Sequence, residues 1–285
     1  MTAVLMDVAD GVALITLNRP ERLNAYDDEL GEGLFGFLGE AADRSDVRAI
    51  VLTGAGRGFC AGADFTVLGD LGDGSRAFAE PFSPFSTPRT IAKPVIAAVN
   101  GACVGIGLLV ALMCDLRFTT PEAKIGTGFA TRGLVAEQGL AWLLSRSVGP
   151  TRAADLLFSG RLVTGADAAA YGLVTDVHPA DELLERTLDY ARGLATWSSP
   201  ASMAAMKWQL LRAEDSDLQG AIDDADELTR RSLTGRDFVE VGARLGRGER
   251  PDFPPLPPTR LGAAPPVELL VPPDREDAPS MRTQA

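Results

Sequence analysis

Residues 95–114 read VIAAVNGACVGIGLLVALMC, an apolar run long enough to cross a bilayer, which needs roughly 20 apolar residues. Asn100 and three glycines interrupt this run. An Asn-Gly pair followed by two further glycines breaks a single helix. The pattern therefore predicts a short buried strand over 94–99, a glycine turn, and a helix that begins near Ile106. We expect this strand–turn–helix unit and not a membrane span.

The turn before Ile106 leads into a helix whose first backbone N–H groups can bind an anion. The first N–H groups of a helix have no partner within the helix, and the helix dipole places partial positive charge on them. Such a turn can hold an oxygen atom that becomes negatively charged during a reaction. The alternative is a tightly packed turn without a ligand, because glycine turns are common. This stretch alone leaves both interpretations open.

The composition limits the class of partner. The chain has 285 residues, enough for one large domain or two modest ones, and 39 acidic against 27 basic residues give a net charge of −12. This charge disfavours nucleic acid and anionic membranes as main partners. Any anionic ligand would have to be held by local arginine or lysine side chains and by backbone N–H groups.

The cysteines and the histidine argue against metal and triad chemistry. Cys60, Cys103 and Cys114 lie in apolar surroundings without metal-ligand spacing, so we predict no metal site and a reducing, cytoplasmic location. The N-terminus lacks the basic start and apolar run of a signal peptide. The one histidine, His178, precedes a proline in a charged segment, where we expect a loop position. A Ser-His-Asp triad is excluded unless His178 is its base.

The N-terminal part predicts a hairpin and a capped helix. Two apolar, β-branched runs at 4–8 and 12–18 are joined by Asp10-Gly11, which is typical of a hairpin turn. Asp27 can cap a following helix whose apolar residues share one face.

A second glycine-rich loop follows another buried strand. Residues 47–53 (VRAIVLT) predict a strand that runs into GAGRGFCAGADF. This loop lacks the Gly-Lys-Ser/Thr of a P-loop and the GxGxxG of a dinucleotide site. Gly62 permits an unusual turn, the small Ala63 leaves its N–H reachable, and Asp64 can cap the helix that follows. The Ala63 N–H is therefore a second candidate donor to an oxyanion.

Six motifs in this order give the chain a family resemblance: LNRPERLNA, GRGFCAGAD, AKPVIAAVNGACVGIG, CDLRF, GLAWLLSRSVG and FSGRLVTGADAAAYGLV. From about residue 5 to 250 the chain resembles the enoyl-CoA hydratase/isomerase (crotonase) superfamily. The resemblance implies an α/β fold, a crotonase-like ββα spiral core with a helical C-terminal segment, and assembly into homo-trimers or hexamers. We expect the core at 1–199 and a helical trimerisation segment at 200–250.

The resemblance also implies an acyl-CoA substrate, with CoA as part of the substrate and no other cofactor. Members of the superfamily hold the thioester oxygen between two backbone N–H groups, which by position belong to Ala63 and Ile106. The carbonyl of Ala61 and the backbone around Arg22 and Ala25 match positions that hold the adenine and phosphates of CoA. Preorganised donors of this kind contribute roughly two to three orders of magnitude each to catalysis.

The positions of the two hydratase glutamates are occupied by Leu109 and Phe129. Neither side chain can activate water or protonate carbon, so ordinary hydratase activity is disfavoured and an apolar pocket wall is expected. Glu137 matches an acid/base position of Δ3,Δ2-enoyl-CoA isomerases. Its alternative role is to interact with the dipole of the helix that begins near 139. Arg132 either orients Glu137 or is solvated, and the sequence does not distinguish these.

The C-terminal third predicts amphipathic helices at 182–195, 200–211, 218–233 and 237–245. Lys207 and Arg212 either contact CoA phosphates or, as we expect, are exposed to solvent. After Arg250 the last 35 residues hold ten of the 19 prolines. Proline removes backbone donors and fixes φ, so we predict an extended or disordered tail at 251–285 without a packed core.

Three functions remain from the sequence. The first is an acyl-CoA isomerase that shifts a double bond by proton transfer through a stabilised dienolate, with Glu137 as the base. The second is an atypical member that hydrates, or cleaves a C–C bond of, a hydrophobic acyl-CoA, because this fold supports many reactions. The third is a non-catalytic acyl-CoA-binding protein.

Overall fold

The computed structural model describes residues 2–75, 85–245, 247 and 249–270. In this part of the chain the strands are β1 Val4–Ala9, β2 Val12–Leu17, β3 Ala49–Gly54, β4 Gly58–Cys60, β5 Val95–Val99, β6 Ala102–Val104, β7 Leu116–Thr119, β8 Lys124–Gly126, β9 Val163–Thr164 and β10 Asp176–Val177. The helices are α1 Asp28–Asp43, α2 Phe65–Gly72, α3 Thr87–Thr90, α4 Ile106–Met113, α5 Leu140–Val148, α6 Pro150–Ser159, α7 Gly165–Ala170, α8 Leu183–Trp197, α9 Pro200–Arg212, α10 Leu218–Leu233 and α11 Arg236–Leu245.

The strands form two sheets, and from β3 to β8 successive strands alternate between them. The larger sheet has the order β1-β2-β3-β5-β7-β10 and the smaller one β4-β6-β8-β9. The pairs β3 and β4, β5 and β6, and β7 and β8 each place one strand in each sheet. Helices follow the first two pairs, so these turns of the chain are ββα units stacked side by side. The predicted α/β spiral core is confirmed.

The local signals explain this architecture. Asp10 and Gly11 have positive φ values of 52° and 77°, which is the conformation of a type I′ hairpin turn between β1 and β2. Every residue of β3 and β5 is buried, because parallel strands are covered on both faces. Ile50 and Leu52 of β3 face the main core with α1, whereas Ala49 and Val51 pack with α8. This alternation is the two-residue period of a strand.

The apolar run at 95–114 forms two strands and a short helix. The buried strand β5 and the helix α4, which begins at Ile106, are as predicted, whereas β6 within the glycine turn was not predicted. No helix in the described ranges is long and apolar enough to cross a membrane.

The proline-rich tail is packed in its described part. Residues 251–270 contribute buried apolar side chains to a cluster with Trp208 of α9, and these are Leu256, Leu261, Leu269 and Leu270. The Trp208 Nε1–H donates to the carbonyl of Gly262 at 3.0 Å, and the Leu261 N–H donates to that of Thr90 at 2.6 Å. The prediction of no packed core is therefore wrong for this segment, because its leucines fill gaps against α9 while its prolines need no donors. Residues 271–285 lie outside the described residues.

Candidate active site

The first predicted donor lies directly after β4. Tyr26 pairs with Ala63 in a parallel bridge in which its N–H donates to the Gly62 carbonyl at 2.8 Å and its carbonyl accepts from the Asp64 N–H at 2.9 Å. In such a bridge the bonds go to the residues on either side of the paired one, so the N–H of Ala63 points away from Tyr26. Within the described part of the chain this N–H has no acceptor.

The second predicted donor lies at the start of α4. Gly105 has φ 55° and precedes the first helical residue, Ile106, whose N–H belongs to the unpaired first turn of the helix. Gly107 brings this turn against the first loop, since a Cβ at Gly107 would lie 2.0 Å from the carbonyl oxygen of Cys60. Gly62, with φ 110°, meets the carbonyl of Val104 from the other side. Only glycines allow the two loops to approach this closely.

Asn100 ties the two loops together where they begin. Its side-chain amide donates to the carbonyl of Gly54 at 2.8 Å and accepts from the N–H of the same residue at 3.2 Å. These bonds join the end of β3 to the residue after β5. The strands that lead into the site are therefore held in register by a side chain as well as by the sheet.

The segment that precedes α1 forms a third wall and is fixed by buried polar contacts. Asn24 is fully buried and donates to the carbonyls of Ala55 and Gly58 at 3.0 and 2.7 Å. The Arg19 guanidinium lies 2.8 Å from Asp27 and 3.1 Å from Asp64. The Thr66 N–H, and with it the Arg19 guanidinium, holds the pKa of Asp64 below its usual value. Asp27 and Asp64 cap α1 and α2, as predicted.

One cavity brings all six predicted site residues together. Arg22, Ala25, Ala61, Ala63, Ile106 and Glu137 line it. Apolar side chains from several elements form much of the remaining wall, and these are Leu23, Phe65, Leu68, Val104, Phe129 and Leu134. The predicted apolar wall thus includes Phe129, whereas Leu109 is 1% exposed in the main core and does not line the cavity.

Glu137 is half-buried at the edge of this cavity, in the segment before α5. Burial raises the pKa of its carboxyl group above the usual value. The helix cap is Gly139, and the carbonyl of Glu137 accepts from the N–H of Leu140 at 2.8 Å. Among the described residues the Glu137 carboxylate has no hydrogen-bond or ion-pair partner. The Glu137 carboxylate therefore forms no capping hydrogen bond to α5, while an interaction with the dipole of that helix stays a prediction.

Other residues that the sequence singled out lie elsewhere or act differently. Lys207 is buried and forms an ion pair with Asp115 at 2.7 Å, so the expectation that it is exposed is wrong. His178 stacks on Phe118 near β10 and does not line the cavity. Across the described ranges, no group of three His, Cys, Asp or Glu side chains could hold a metal ion.

The sequence reasoning missed residues that build the site without lining its reactive part. Arg19 and Asn24 belong to the LNRPERLNA motif, where polar residues between apolar ones could have indicated buried partners. Their partners, Asp64 and Gly58, are more than thirty residues away in the chain. No local pattern identifies such a pairing.

Comparisons with known proteins show which family the chain resembles. The family profile described as enoyl-CoA hydratase/isomerase matches residues 7–238. The probable enoyl-CoA hydratase EchA14 of Mycobacterium tuberculosis is 36% identical over 268 residues, covering 92% of this chain and 96% of the relative. A crystal structure of a probable enoyl-CoA hydratase/isomerase from Mycobacterium abscessus superposes with a TM-score of 0.82 at 30% identity, over 90% of this chain and all of the other.

A third relative carries a more specific description. It is the structure of a monofunctional enoyl-CoA isomerase from M. smegmatis, 36% identical with a TM-score of 0.66, covering 78% of this chain and 99% of that one. The profile alone spans most of the chain, and the fold agrees with it. The chain belongs to the enoyl-CoA hydratase/isomerase family.

Proposed function

We propose that the protein is an acyl-CoA isomerase that shifts a carbon–carbon double bond by proton transfer. The observation that supports this most is the meeting of two unpaired N–H groups, of Ala63 and Ile106, and one unpartnered carboxylate, of Glu137, in a single apolar cavity. The thioester oxygen binds between the two N–H groups. The acyl chain then extends along the wall that includes Phe129 and Leu134.

Each group has one task in this mechanism. Glu137 removes a proton from the carbon next to the thioester, and the negative charge moves onto the thioester oxygen. The N–H groups of Ala63 and Ile106 stabilise that charge in a site with little water. Glu137 returns the proton two carbons away, so one base serves both steps. The raised pKa of Glu137 favours the first step, because a more basic carboxylate removes a proton from carbon more readily.

A hydratase needs a second catalytic group, and among the described residues the cavity offers none. The family resemblance puts Leu109 and Phe129 at the two hydratase glutamate positions. The other carboxylate on the cavity wall, Asp64, is engaged by Thr66 and Arg19. We propose for this reason that isomerisation, and not hydration, is the main reaction.

The test is turnover of a 3-enoyl-CoA and, separately, of a 2-enoyl-CoA in water. We expect conversion of the 3-enoyl-CoA and a loss of at least about a hundredfold in Glu137→Gln, since general base catalysis contributes roughly two to four orders of magnitude. Glu32→Gln, on the exposed side of α1, is the matched control and should keep full activity. Equal turnover by Glu137→Gln and the natural protein would disprove the assignment.

The second candidate is an atypical hydratase or C–C bond hydrolase acting on a hydrophobic acyl-CoA. This candidate is supported by the name of the M. tuberculosis relative, which is a probable enoyl-CoA hydratase. Formation of a 3-hydroxyacyl-CoA in the same assays would support this candidate, and so would hydrolysis of a 3-oxoacyl-CoA to a carboxylic acid and acetyl-CoA in a separate assay. Binding of acyl-CoA without any product would favour a non-catalytic binding protein.

We also propose that the chain forms homo-trimers or hexamers, as its family resemblance implies. Large apolar side chains are exposed on the C-terminal helices and on α6, and these include Phe158, Leu210, Leu218 and Phe238. Light scattering after size exclusion should give three or six times the chain mass. Phe238→Glu should lower that mass, whereas a monomer from the natural protein would refute the proposal.

A further inference from the structure

The charged groups on the cavity wall are not all accounted for by the proposed reaction. In the described ranges they are Arg22, Asp64, Arg132 and Glu137. Asp64 is paired with Arg19, Glu137 is the proposed base, and Arg22 belongs to the segment that resembles a CoA-binding one. Arg132 has no assigned task.

The backbone around Gly128 fixes the position of the Arg132 guanidinium. Its Nη1 donates to the carbonyl of Gly128 at 2.6 Å. Gly128 has φ 63°, and a Cβ there would lie 2.6 Å from the same Nη1 and 3.1 Å from Cγ1 of Val104. The absence of a side chain at Gly128 therefore lets the guanidinium lie against the backbone, beside the apolar wall. Arg132 is an exposed residue, and this bond to Gly128 anchors its guanidinium at one point.

Most of the donors of this guanidinium are unused. An arginine has five N–H donors, and the one bond from the Arg132 side chain within the described residues is that to Gly128. No carboxylate of the described chain forms an ion pair with it. Glu137 lines the same cavity, but among the described residues no hydrogen bond or ion pair joins its carboxylate to Arg132. The cavity thus offers a positive charge that is separate from the proposed base.

We propose that Arg132 selects acyl-CoA molecules whose acyl group carries a free carboxylate at the end distant from the thioester. The proposal rests on the proposed function, because it places the acyl chain in this cavity. A carboxylate accepts two parallel hydrogen bonds from a guanidinium, and such charge-assisted bonds are about twice as strong as neutral ones.

The experiment measures binding of unreactive, saturated acyl-CoA ligands by calorimetry on the full-length protein. Glutaryl-CoA carries the free carboxylate, and 5-methylhexanoyl-CoA has two methyl groups in place of the carboxylate oxygens. We expect glutaryl-CoA to bind about two- to fivefold more tightly than 5-methylhexanoyl-CoA, which is the range for a charge pair at an exposed side chain. In Arg132→Met this preference should disappear or reverse, and Arg132→Lys should retain part of it.

Arg22→Met is the matched control, because it removes the same charge from another segment that lines the same cavity. It should weaken both ligands by a similar factor and leave their ratio unchanged. Equal affinity of the natural protein for the two ligands would overturn the proposal, and so would a preference that survives in Arg132→Met. Circular dichroism verifies that each variant is folded.

The assay also separates this inference from the proposed reaction. Binding of saturated ligands requires no proton transfer, so the preference for glutaryl-CoA should be the same in Glu137→Gln. Failure of the isomerase assay together with an Arg132-dependent preference would refute the reaction alone. Isomerase activity on 3-hexenoyl-CoA without any preference for glutaryl-CoA would refute the role of Arg132 alone.

Discussion

Glu137 is held outside the helix that follows it by two residues in the left-handed region, Gln138 at φ 48° and Gly139 at φ 78°. A non-glycine residue in this region costs roughly 1–2 kcal/mol. The turn directs the chain so that α5 begins only at Leu140 and Glu137 stays on the cavity wall. Local strain of this kind is often found where a structure fixes a reactive group.

The pH dependence of turnover follows from the burial of Glu137. The base acts only when ionised, and burial raises its pKa above the usual value for glutamate. We expect kcat/KM for a 3-enoyl-CoA to fall as the pH drops through that raised pKa. The pH–rate profile of the natural protein measures it. A profile that is flat from pH 7 down to pH 4.5 would contradict the assignment.

The raised pKa of Glu137 also affects the stability of the fold, and there ionisation of the carboxyl group is unfavourable. A carboxyl group with a raised pKa in the folded state binds its proton more tightly there than in the unfolded state, so it lowers stability once it is ionised. Glu137→Gln should therefore be more stable than the natural protein at pH 7. The difference should shrink as the pH falls through the folded-state pKa. Urea unfolding at several pH values tests this, and a difference that grows at low pH would contradict it.

At the level of elements, substitution of glycine by alanine should have opposite effects at Gly107 and at Gly36. A Cβ at Gly107 would overlap the Cys60 carbonyl, so Gly107→Ala must displace the start of α4 and with it the Ile106 N–H. We expect a loss of about 1–3 kcal/mol in the free energy of unfolding and at least about a tenfold loss of turnover. Gly36 lies on the exposed side of α1 with nothing within 4 Å.

Gly36→Ala is the control for that experiment. It should raise the free energy of unfolding by about 0.5–1 kcal/mol, because alanine favours helix more than glycine does. Its turnover should equal that of the natural protein. Thermal unfolding and initial rates of both variants give the comparison, and full activity of Gly107→Ala would show that the loop contact is unimportant.

The elements show what could be predicted and what could not. The hairpin at Asp10-Gly11, the caps at Asp27 and Asp64, and the helix that begins at Ile106 depend on neighbouring residues, so their patterns could be read from the sequence. The strand β6 has only three residues and owes its conformation to its neighbours β4 and β8. A strand that short has too little pattern of its own.

Buried charges were the harder part of the prediction. Lys93 is 3% exposed and donates to the carbonyls of Ala41 and Arg44 at 2.9 and 2.6 Å, and Lys207 contacts Asp115. Their partners are 49 to 92 residues away along the chain. Lysine is rarely buried without such partners, so a sequence without the fold favours exposure. The tail was misjudged for the same reason, because its contacts are distant.

For the whole molecule, the described tail residues predict a measurable share of the stability. Leu261 is 8% exposed in the cluster that contains Trp208. Leu261→Ala should lower the free energy of unfolding by about 2–5 kcal/mol, the usual cost of truncating a buried leucine. Leu5→Ala, at a leucine of β1 that is 47% exposed, should change it by less than about 1 kcal/mol. Similar values for the two variants in denaturant unfolding would show that the tail contributes little.

The position of the tail also bears on how the protein is made. The Arg48 guanidinium donates to the carbonyl of Phe253, which is 205 residues later in the chain. Synthesis proceeds at about 5–20 residues per second, so the sixty or so residues between Trp208 and the last leucines take roughly 3–12 seconds to appear. During that interval the apolar surface of α9 lacks its cover on the ribosome. A chaperone that binds exposed apolar segments would meet this surface before the chain itself could close it.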